Sequence, residues 1–205
     1  MQNGNNYITM LGTGNALATR CYNTCFTLHG KEGVLLVDAG GGNGILAQLE
    51  KAGIRREDIS DLFVTHAHTD HLLGCIWMMR MALQFRYPLR VWSHKKVLGL
   101  LTDICRQILP LKEAEGIGSL VTMNCLNDGE QLTVRGWRIR HAMFRHPSTV
   151  LDAARLADEL NVKNLILYHT EDHTLDTRRQ RYTTEAKTAF SGRVLVPDDL
   201  ERIVL

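Results

Sequence analysis

The first third of the chain alternates short apolar runs with turn residues. Runs rich in β-branched and apolar side chains, bounded by glycine or polar residues, are typical of strands. Apolar residues spaced three and four apart, in a segment that closes on glycine, instead predict a helix. These patterns predict strands over 7–12, 24–29, 34–39 and 61–66, with one helix over 44–54.

The remainder of the chain continues to alternate between helices and strands. The apolar periodicity predicts helices over 71–85, 94–109, 148–162 and 178–190, and strands over 89–93, 164–169, 193–197 and 201–205. Two hairpin-like strands are predicted over 119–126 and 130–141, with turn signals at Asn-Asp-Gly, residues 127–129, and at Gly136. The class is therefore mixed α/β (α+β), with sheets covered by helices. No linker or repeat interrupts the pattern, so a single domain over 1–205 is expected.

Composition and charge add few constraints. The 205 residues carry 24 Lys and Arg against 22 Asp and Glu, and this net charge of +2 is too small to indicate a nucleic-acid or membrane partner. No apolar run approaches the roughly 20 residues of a membrane span, and no signal peptide is evident. The five scattered cysteines favour a reduced, cytoplasmic protein. Cys21 and Cys25 could form half of a zinc site, but no second cysteine pair follows, and buried thiols are the simpler interpretation.

The stretch THAHTDH, residues 65–71, places three histidines and one aspartate within six positions. Imidazole and carboxylate donors at this density suit Zn²⁺ or another borderline divalent metal. His66 and His68 are two residues apart on an extended segment, so both imidazoles can point to one side. Asp70 and His71 lie where the loop turns into a helix and can face a second ion. A His-rich loop without function is the alternative, which the flanking apolar strand and helix disfavour.

Within this stretch, HAHTDH resembles the His-x-His-x-Asp-His signature of the metallo-β-lactamase fold hydrolases. MLGTGNA and LLVDAGGG are similar to the opening strands of the ribonuclease Z-like branch, and STVLDAARLADELNVKNLILYHT is similar to its late helix and strand. The resemblance covers residues 7–205. It implies a metallo-β-lactamase αββα sandwich that lacks some second-half strands, with one or two metals at an edge of the sheets.

The resemblance also implies roles for individual residues. It implies that His66 and His68 bind a first metal. Asp70, His71 and His169 would bind a second. Asp70 would also orient the attacking water. Asp38 corresponds to a buried aspartate that supports the histidine loop without touching metal, although a turn-forming aspartate is the alternative. The expected ion is Zn²⁺, bound once or twice, with Mn²⁺ or iron as alternatives.

The site implied by the resemblance is incomplete in this sequence. The family has a further histidine ligand and a metal-bridging aspartate, but only four residues separate His141 from His146. His146 fits either that ligand or a histidine that assists proton transfer, His141 is a second candidate ligand, and both could be surface histidines. Asp152 and Asp172 lie in the wrong sequence context for the bridging position. Three explanations of the missing ligands remain open, which are a naturally shortened family member, an engineered deletion and a segment omitted from the sequence. The last two are favoured because an insertion beside His141 restores the match to the family pattern on both sides. An intact mass near 23.2 kDa would exclude an omitted segment.

The implied activity is metal-assisted hydrolysis, and the ribonuclease Z-like branch favours phosphodiesters from RNA or a small molecule. His146 would protonate the leaving group. The chain lacks a basic arm of the kind with which ribonuclease Z binds tRNA, so tRNA 3′ processing is not expected. Thioester or lactone hydrolysis and a catalytically weak metal-binding scaffold are the alternatives.

Partners other than the substrate are weakly indicated. Basic residues on two predicted helices could contact phosphates, although solvated helix faces are the simpler explanation; they are Lys95, Lys96, Arg178, Arg179 and Arg181. A nucleotide site at GTGNAL is disfavoured because Leu17 replaces the small residue of the dinucleotide fingerprint. No membrane partner is expected, and a homodimer is compatible with the sequence.

Overall fold

The structure is a computed structural model that describes residues 6–140 and 149–205. The strands are β1 (Tyr7–Gly12), β2 (Cys25–Gly30), β3 (Gly33–Val37), β4 (Ile59–Phe63), β5 (Leu89–His94), β6 (Val121–Leu126), β7 (Gln131–Val134), β8 (Trp137–Arg140), β9 (Asn164–Ile166), β10 (Arg193–Leu195) and β11 (Arg202–Val204). The helices are α1 (Gly44–Lys51), α2 (Thr69–Phe85), α3 (Lys95–Ile108), α4 (Leu111–Ala114), α5 (Val150–Glu159) and α6 (Leu175–Ala186), with a 3₁₀ turn at Arg56–Asp58.

A seven-stranded sheet in the order β11-β1-β2-β3-β4-β5-β6 forms the centre of the fold. Its β11-to-β3 side is antiparallel, and its β3-to-β6 side is parallel. Because alternate side chains of a strand point to opposite faces, Leu35 and Leu36 of β3 enter two different apolar cores. Both side chains are fully buried, and each such burial contributes about 1.5–3 kcal/mol.

The helices and sheets form four layers. On one face of the sheet, α1, α2 and α3 bury residues such as Leu49, Met79 and Leu101. On the other face lie two two-stranded sheets, β7–β8 and β10–β9, which contribute Val134 and Ile166. Helices α5 and α6 pack over β9 and β10 in a third core. The arrangement is the predicted αββα sandwich, and the second β layer of the described residues is two short sheets.

The predicted hairpin between residues 119–126 and 130–141 is wrong. Strand β6 instead pairs in parallel with β5, so it extends the main sheet, and residues 131–140 form a hairpin of their own, β7–β8. Arg135 and Gly136 make its turn and both have a positive φ, as tight hairpin turns require. The apolar pattern therefore located β6 but merged β7 and β8 into one strand and gave β6 the wrong partner.

Asp61 of β4 joins the two β layers through a buried charge. Its carboxylate accepts hydrogen bonds from Trp92 Nε1 at 2.8 Å and from Arg135 Nε at 2.7 Å, and it pairs with Arg90 of the neighbouring strand at 2.7 Å. Burial alone would raise the pKa of Asp61, but these donors outweigh burial and hold the pKa below its ordinary value. Asp61 therefore ties the β7–β8 hairpin to the main sheet.

Asp61→Asn is expected to lower the free energy of unfolding by about 1.5–3 kcal/mol at pH 7, since charge-assisted hydrogen bonds are lost. A depressed folded-state pKa stabilises the protein above the unfolded pKa of about 3.9, and this stabilisation is lost as pH falls through the folded value. The difference in unfolding free energy between parent and variant, measured by urea denaturation, should therefore narrow below about pH 4. The exposed Asp158→Asn is the control, and a pH-independent difference for Asp61→Asn would contradict the assignment.

Candidate metal centre

The candidate site lies where β3 and β4 end and α2 begins. Two predicted strands end earlier than expected, at Phe63 instead of residue 66 and at Ile166 instead of residue 169. The Val64 amide still donates to Trp92 O of β5 at 2.9 Å, but the Thr65 amide donates to the Asp38 carboxylate at 2.8 Å instead of to a strand. His66 and His68 therefore lie on a loop beyond the strand, and His68 immediately precedes the first residue of α2.

Gly74 sets the distance between α2 and the turn that follows β3. A Cβ at this position would collide with the Ala39 carbonyl oxygen, so only glycine permits this approach. The Gly74 amide donates to Gly40 O at 2.8 Å. This contact brings the N-terminal turn of α2, with Asp70 and His71, against Asp38.

Asp38 organises the histidines of the loop. It is buried, has a φ of 53°, and its Oδ2 accepts from Thr65 Oγ1 at 2.7 Å and from His71 Nδ1 at 2.8 Å. Since the Thr65 hydroxyl donates its proton to Asp38, it accepts from His66 Nδ1 at 2.9 Å. Both imidazoles thus carry their proton on Nδ1, which leaves each Nε2 lone pair available to a metal.

Three of the predicted ligands form a compact set. His71 Nε2 and His169 Nε2 are 3.0 Å apart, and each lies 3.3 Å from Asp70 Oδ2. Ligands about 2.0–2.1 Å from a tetrahedral ion are separated from one another by roughly 3.3 Å, so this donor set fits a zinc-sized cation. Asp70 and His71 are buried, whereas the His169 side chain is 42% exposed, so the set opens to solvent on the His169 side.

His66 and His68 extend the cluster. The His66 ring centroid lies 4.1 Å from that of His71 and 4.5 Å from that of His68. Burial, followed by the His71 and His68 rings, lowers the pKa of His66, which favours the neutral form that binds metals. Within residues 6–140 and 149–205, however, the group with three ligand atoms close together is Asp70, His71 and His169.

The remaining predicted positions fall in two groups. His141 and His146 lie outside the described residues. The carboxylates of Asp152 and Asp172, the candidates considered for the bridging position, instead accept hydrogen bonds from backbone amides. Asp152 forms a capping box with Thr149 at the start of α5, and Asp172 accepts from the Thr19 amide at 2.5 Å and the Arg20 amide at 2.7 Å.

Two contributions were not recognised in the sequence. Thr65 relays the Asp38 contact to His66, and a single threonine beside the motif gave no signal of this role. Arg178 was predicted on a solvated helix face, and this prediction is wrong because the residue is 1% exposed. Hydroxyl and carbonyl oxygens replace water as the hydrogen-bond partners of its guanidinium. Its neighbour Arg179 is half exposed and pairs with Asp198 and Glu201.

Comparisons with known proteins place the sequence in a family. A family model described as anti-Pycsar protein Apyc1 matches residues 6–190. Ribonuclease Z of Salinispora arenicola is 28% identical over 141 residues, 68% of this chain and 44% of that protein. Ribonuclease Z of Methanosarcina acetivorans is 40% identical over 68 residues, 33% of this chain and 22% of that protein. The chain thus spans less than half the length of these curated relatives.

Solved structures share the fold over nearly the whole chain. The metallo-β-lactamase fold protein YhfI from Bacillus subtilis superposes with a TM-score of 0.75 at 17% identity, covering 98% of this chain and 99% of that one. A diphosphatase from the PhnP family gives 0.69 at 13% identity, covering 98% of each chain. Human tRNase Z, short form, gives 0.56 at 16% identity, covering 96% of this chain and 98% of that one.

No helix of the described residues is long and apolar enough to cross a membrane. With a family model that spans residues 6–190, the chain belongs to the anti-Pycsar protein Apyc1 family and has the metallo-β-lactamase fold.

Proposed function

We propose that the chain is a metal-dependent hydrolase of phosphodiesters. The observation that carries the proposal is the triangle of Asp70, His71 and His169, whose spacing suits a divalent ion and whose exposed corner faces solvent. Relatives named ribonuclease Z and a diphosphatase of the same fold support phosphoester chemistry. Zn²⁺ is the expected ion, with Mn²⁺ or iron as alternatives, since nitrogen and carboxylate donors suit all three.

The side chains of the site would each do a definite task. Asp70, His71 and His169 would hold one ion, and His66 with His68 would contribute to a second. A divalent ion supplies Lewis-acid polarisation of a phosphoryl oxygen and a nucleophilic water near neutral pH. Asp70 would help to orient that water, and Asp38 keeps the His71 ring in the required tautomer. His146 is proposed as the group that protonates the leaving oxygen.

A cleft beside His169 favours a small substrate over a polynucleotide. It has a volume of about 580 Å³ and extends from His169 towards Glu171, Tyr182 and Glu185. The described residues that line it include these two glutamates and no lysine or arginine. Because each further phosphate of RNA would meet negative charge here, a diester with one phosphate and a compact organic group is the better fit.

The test combines metal content with a substrate panel. The zinc-loaded chain should contain two metal equivalents and hydrolyse bis(p-nitrophenyl) phosphate, and chelation should abolish turnover. The panel adds a small cyclic phosphodiester, a single-stranded RNA, a p-nitrophenyl ester, a thioester and a lactone. Preference for the thioester or lactone would replace the phosphodiester proposal. One metal or none, without turnover of any member, would contradict the phosphodiesterase proposal, and a single bound metal without turnover would identify a metal-binding scaffold.

His68→Ala supplies a variant arm of the same experiment. The lost imidazole should lower the metal content of the loaded chain and the diester turnover. His94→Ala is a matched control, because His94 also precedes the first residue of a helix, α3, but is not among the proposed ligands. Equal metal content in His68→Ala and in the parent would remove His68 from the site.

A further inference from the structure

Arg178 is a buried cation that connects three segments of the chain. It lies in the first turn of α6 and is 1% exposed, whereas arginine is rarely buried without partners. Its Nη1 donates to Thr170 Oγ1 at 2.7 Å, and its Nη2 lies 3.2 Å from Thr13 Oγ1 and 2.9 Å from Pro197 O. Asp198 Oδ1, 2.8 Å away, supplies the opposite charge.

Thr170 is the residue through which Arg178 reaches the metal centre. It directly follows His169, which lies three residues beyond β9 and has a φ of 63°, in the left-handed region that non-glycine residues seldom adopt. The Thr170 amide donates to Thr13 O at 3.0 Å, and its carbonyl accepts from the Asn15 amide at 2.8 Å. These bonds fix the backbone of Thr170, while Arg178 fixes its side chain.

From these contacts we infer that Arg178 is a positioning residue of the metal centre, acting through Thr170 to hold His169 in its ligating orientation. The inference rests on the proposed metal-dependent function. The two histidines of the triangle are held differently, because the Asp38 carboxylate orients the buried His71 ring directly, whereas His169 lies beyond the end of β9 and is partly exposed. The orientation of His169 therefore depends on how its neighbour Thr170 is anchored.

Arginine suits this position because of its geometry. The planar guanidinium holds its donors in fixed directions, so Nη1 bonds the Thr170 hydroxyl while Nη2 faces the Thr13 hydroxyl, the Pro197 carbonyl and the Asp198 carboxylate. If Arg178 served only as the ion-pair partner of Asp198, its bond to Thr170 would be dispensable, and the Thr170 hydroxyl could be removed without consequence for the metal centre. The two roles therefore make different predictions at Thr170.

Thr170→Val tests the inference, since it removes the acceptor of Arg178 but leaves the backbone bonds to Thr13 and Asn15 in place. We expect the zinc affinity, measured by competition with a chromophoric chelator, to fall about 10-fold, the lower end of the range for residues that support metal ligands. The visible absorption of the Co²⁺-loaded chain should change as well. Thr170→Ser, which keeps the hydroxyl, should restore both, and circular dichroism checks that each variant is folded.

Thr102→Val is the matched control, because Thr102 Oγ1 donates to Leu98 O within α3, away from the site. It should leave zinc affinity and the Co²⁺ spectrum unchanged. Parent-like zinc affinity and spectrum in Thr170→Val would overturn the inference while leaving the proposed function intact. Failure of the unaltered chain to bind zinc would overturn both.

Discussion

His71→Ala is expected to remove metal from the triangular site and to lower phosphodiester turnover by more than about 100-fold. Loss of a residue that merely supports a ligand costs up to about 100-fold in metal affinity, and His71 is itself a proposed ligand. Its Nε2 lies 3.0 Å from His169 Nε2 and 3.3 Å from Asp70 Oδ2, so its removal leaves two donors. Metal content after dialysis and turnover of bis(p-nitrophenyl) phosphate measure the two effects.

Cys75→Ala is the control for loss of packing at this place. Cys75 is buried one helical turn after His71 in α2, and its thiol contacts the His71 carbonyl. The control should keep metal and activity because it leaves all proposed ligands in place. Parent-like metal content in His71→Ala would contradict the proposed ligand set.

Asp38→Asn is the second large expected effect, a fall of about 10–100-fold in zinc affinity. Asparagine has the same shape and tolerates the left-handed backbone at this position, so strain is not the cause. However, the Asp38 carboxylate accepts three hydrogen bonds, from the Thr65 amide, the Thr65 hydroxyl and His71 Nδ1. An asparagine amide has only one oxygen and cannot accept on both sides of the group. The Nδ1 protons of His66 and His71 would lose their common acceptor network, and the Nε2 lone pairs would no longer be fixed towards the metal.

Asp61→Asn provides the comparison for Asp38→Asn, because Asp61 is also a buried aspartate but lies among Arg90, Trp92 and Arg135. It should lower stability without changing zinc affinity. Equal zinc affinities in Asp38→Asn and the parent, by chelator competition, would show that Asp38 has only a structural role.

Much of the site could be predicted because its donors are clustered in the sequence. THAHTDH contains four donors within seven residues, and the short spacing leaves them few ways to lie apart. His169 could be found only through family resemblance, since it is 98 residues from His71 and no local pattern links the two. The relay through Thr65 and the burial of Arg178 depend on tertiary contacts that an isolated threonine or arginine does not indicate.

The fold divides in the same way. Apolar periodicity predicted most strands and helices, although it missed the short helix α4 and merged β7 with β8, and it carries no information on which strands pair. Strand β6 joins β5 across α3 and α4, whereas sequence proximity favoured a hairpin with the strand that follows. Beyond the early ends of β4 and β9 the backbone amides find other acceptors, the Asp38 carboxylate for Thr65 and the Thr13 carbonyl for Thr170.

Anomalous X-ray diffraction at the zinc absorption edge, from crystals of the zinc-loaded chain, tests the central claim most directly. A peak enclosed by Asp70 Oδ2, His71 Nε2 and His169 Nε2 is the predicted result, because these atoms form the ligand triangle. Zinc located elsewhere, with no peak between these three side chains, would contradict the assignment of the metal centre.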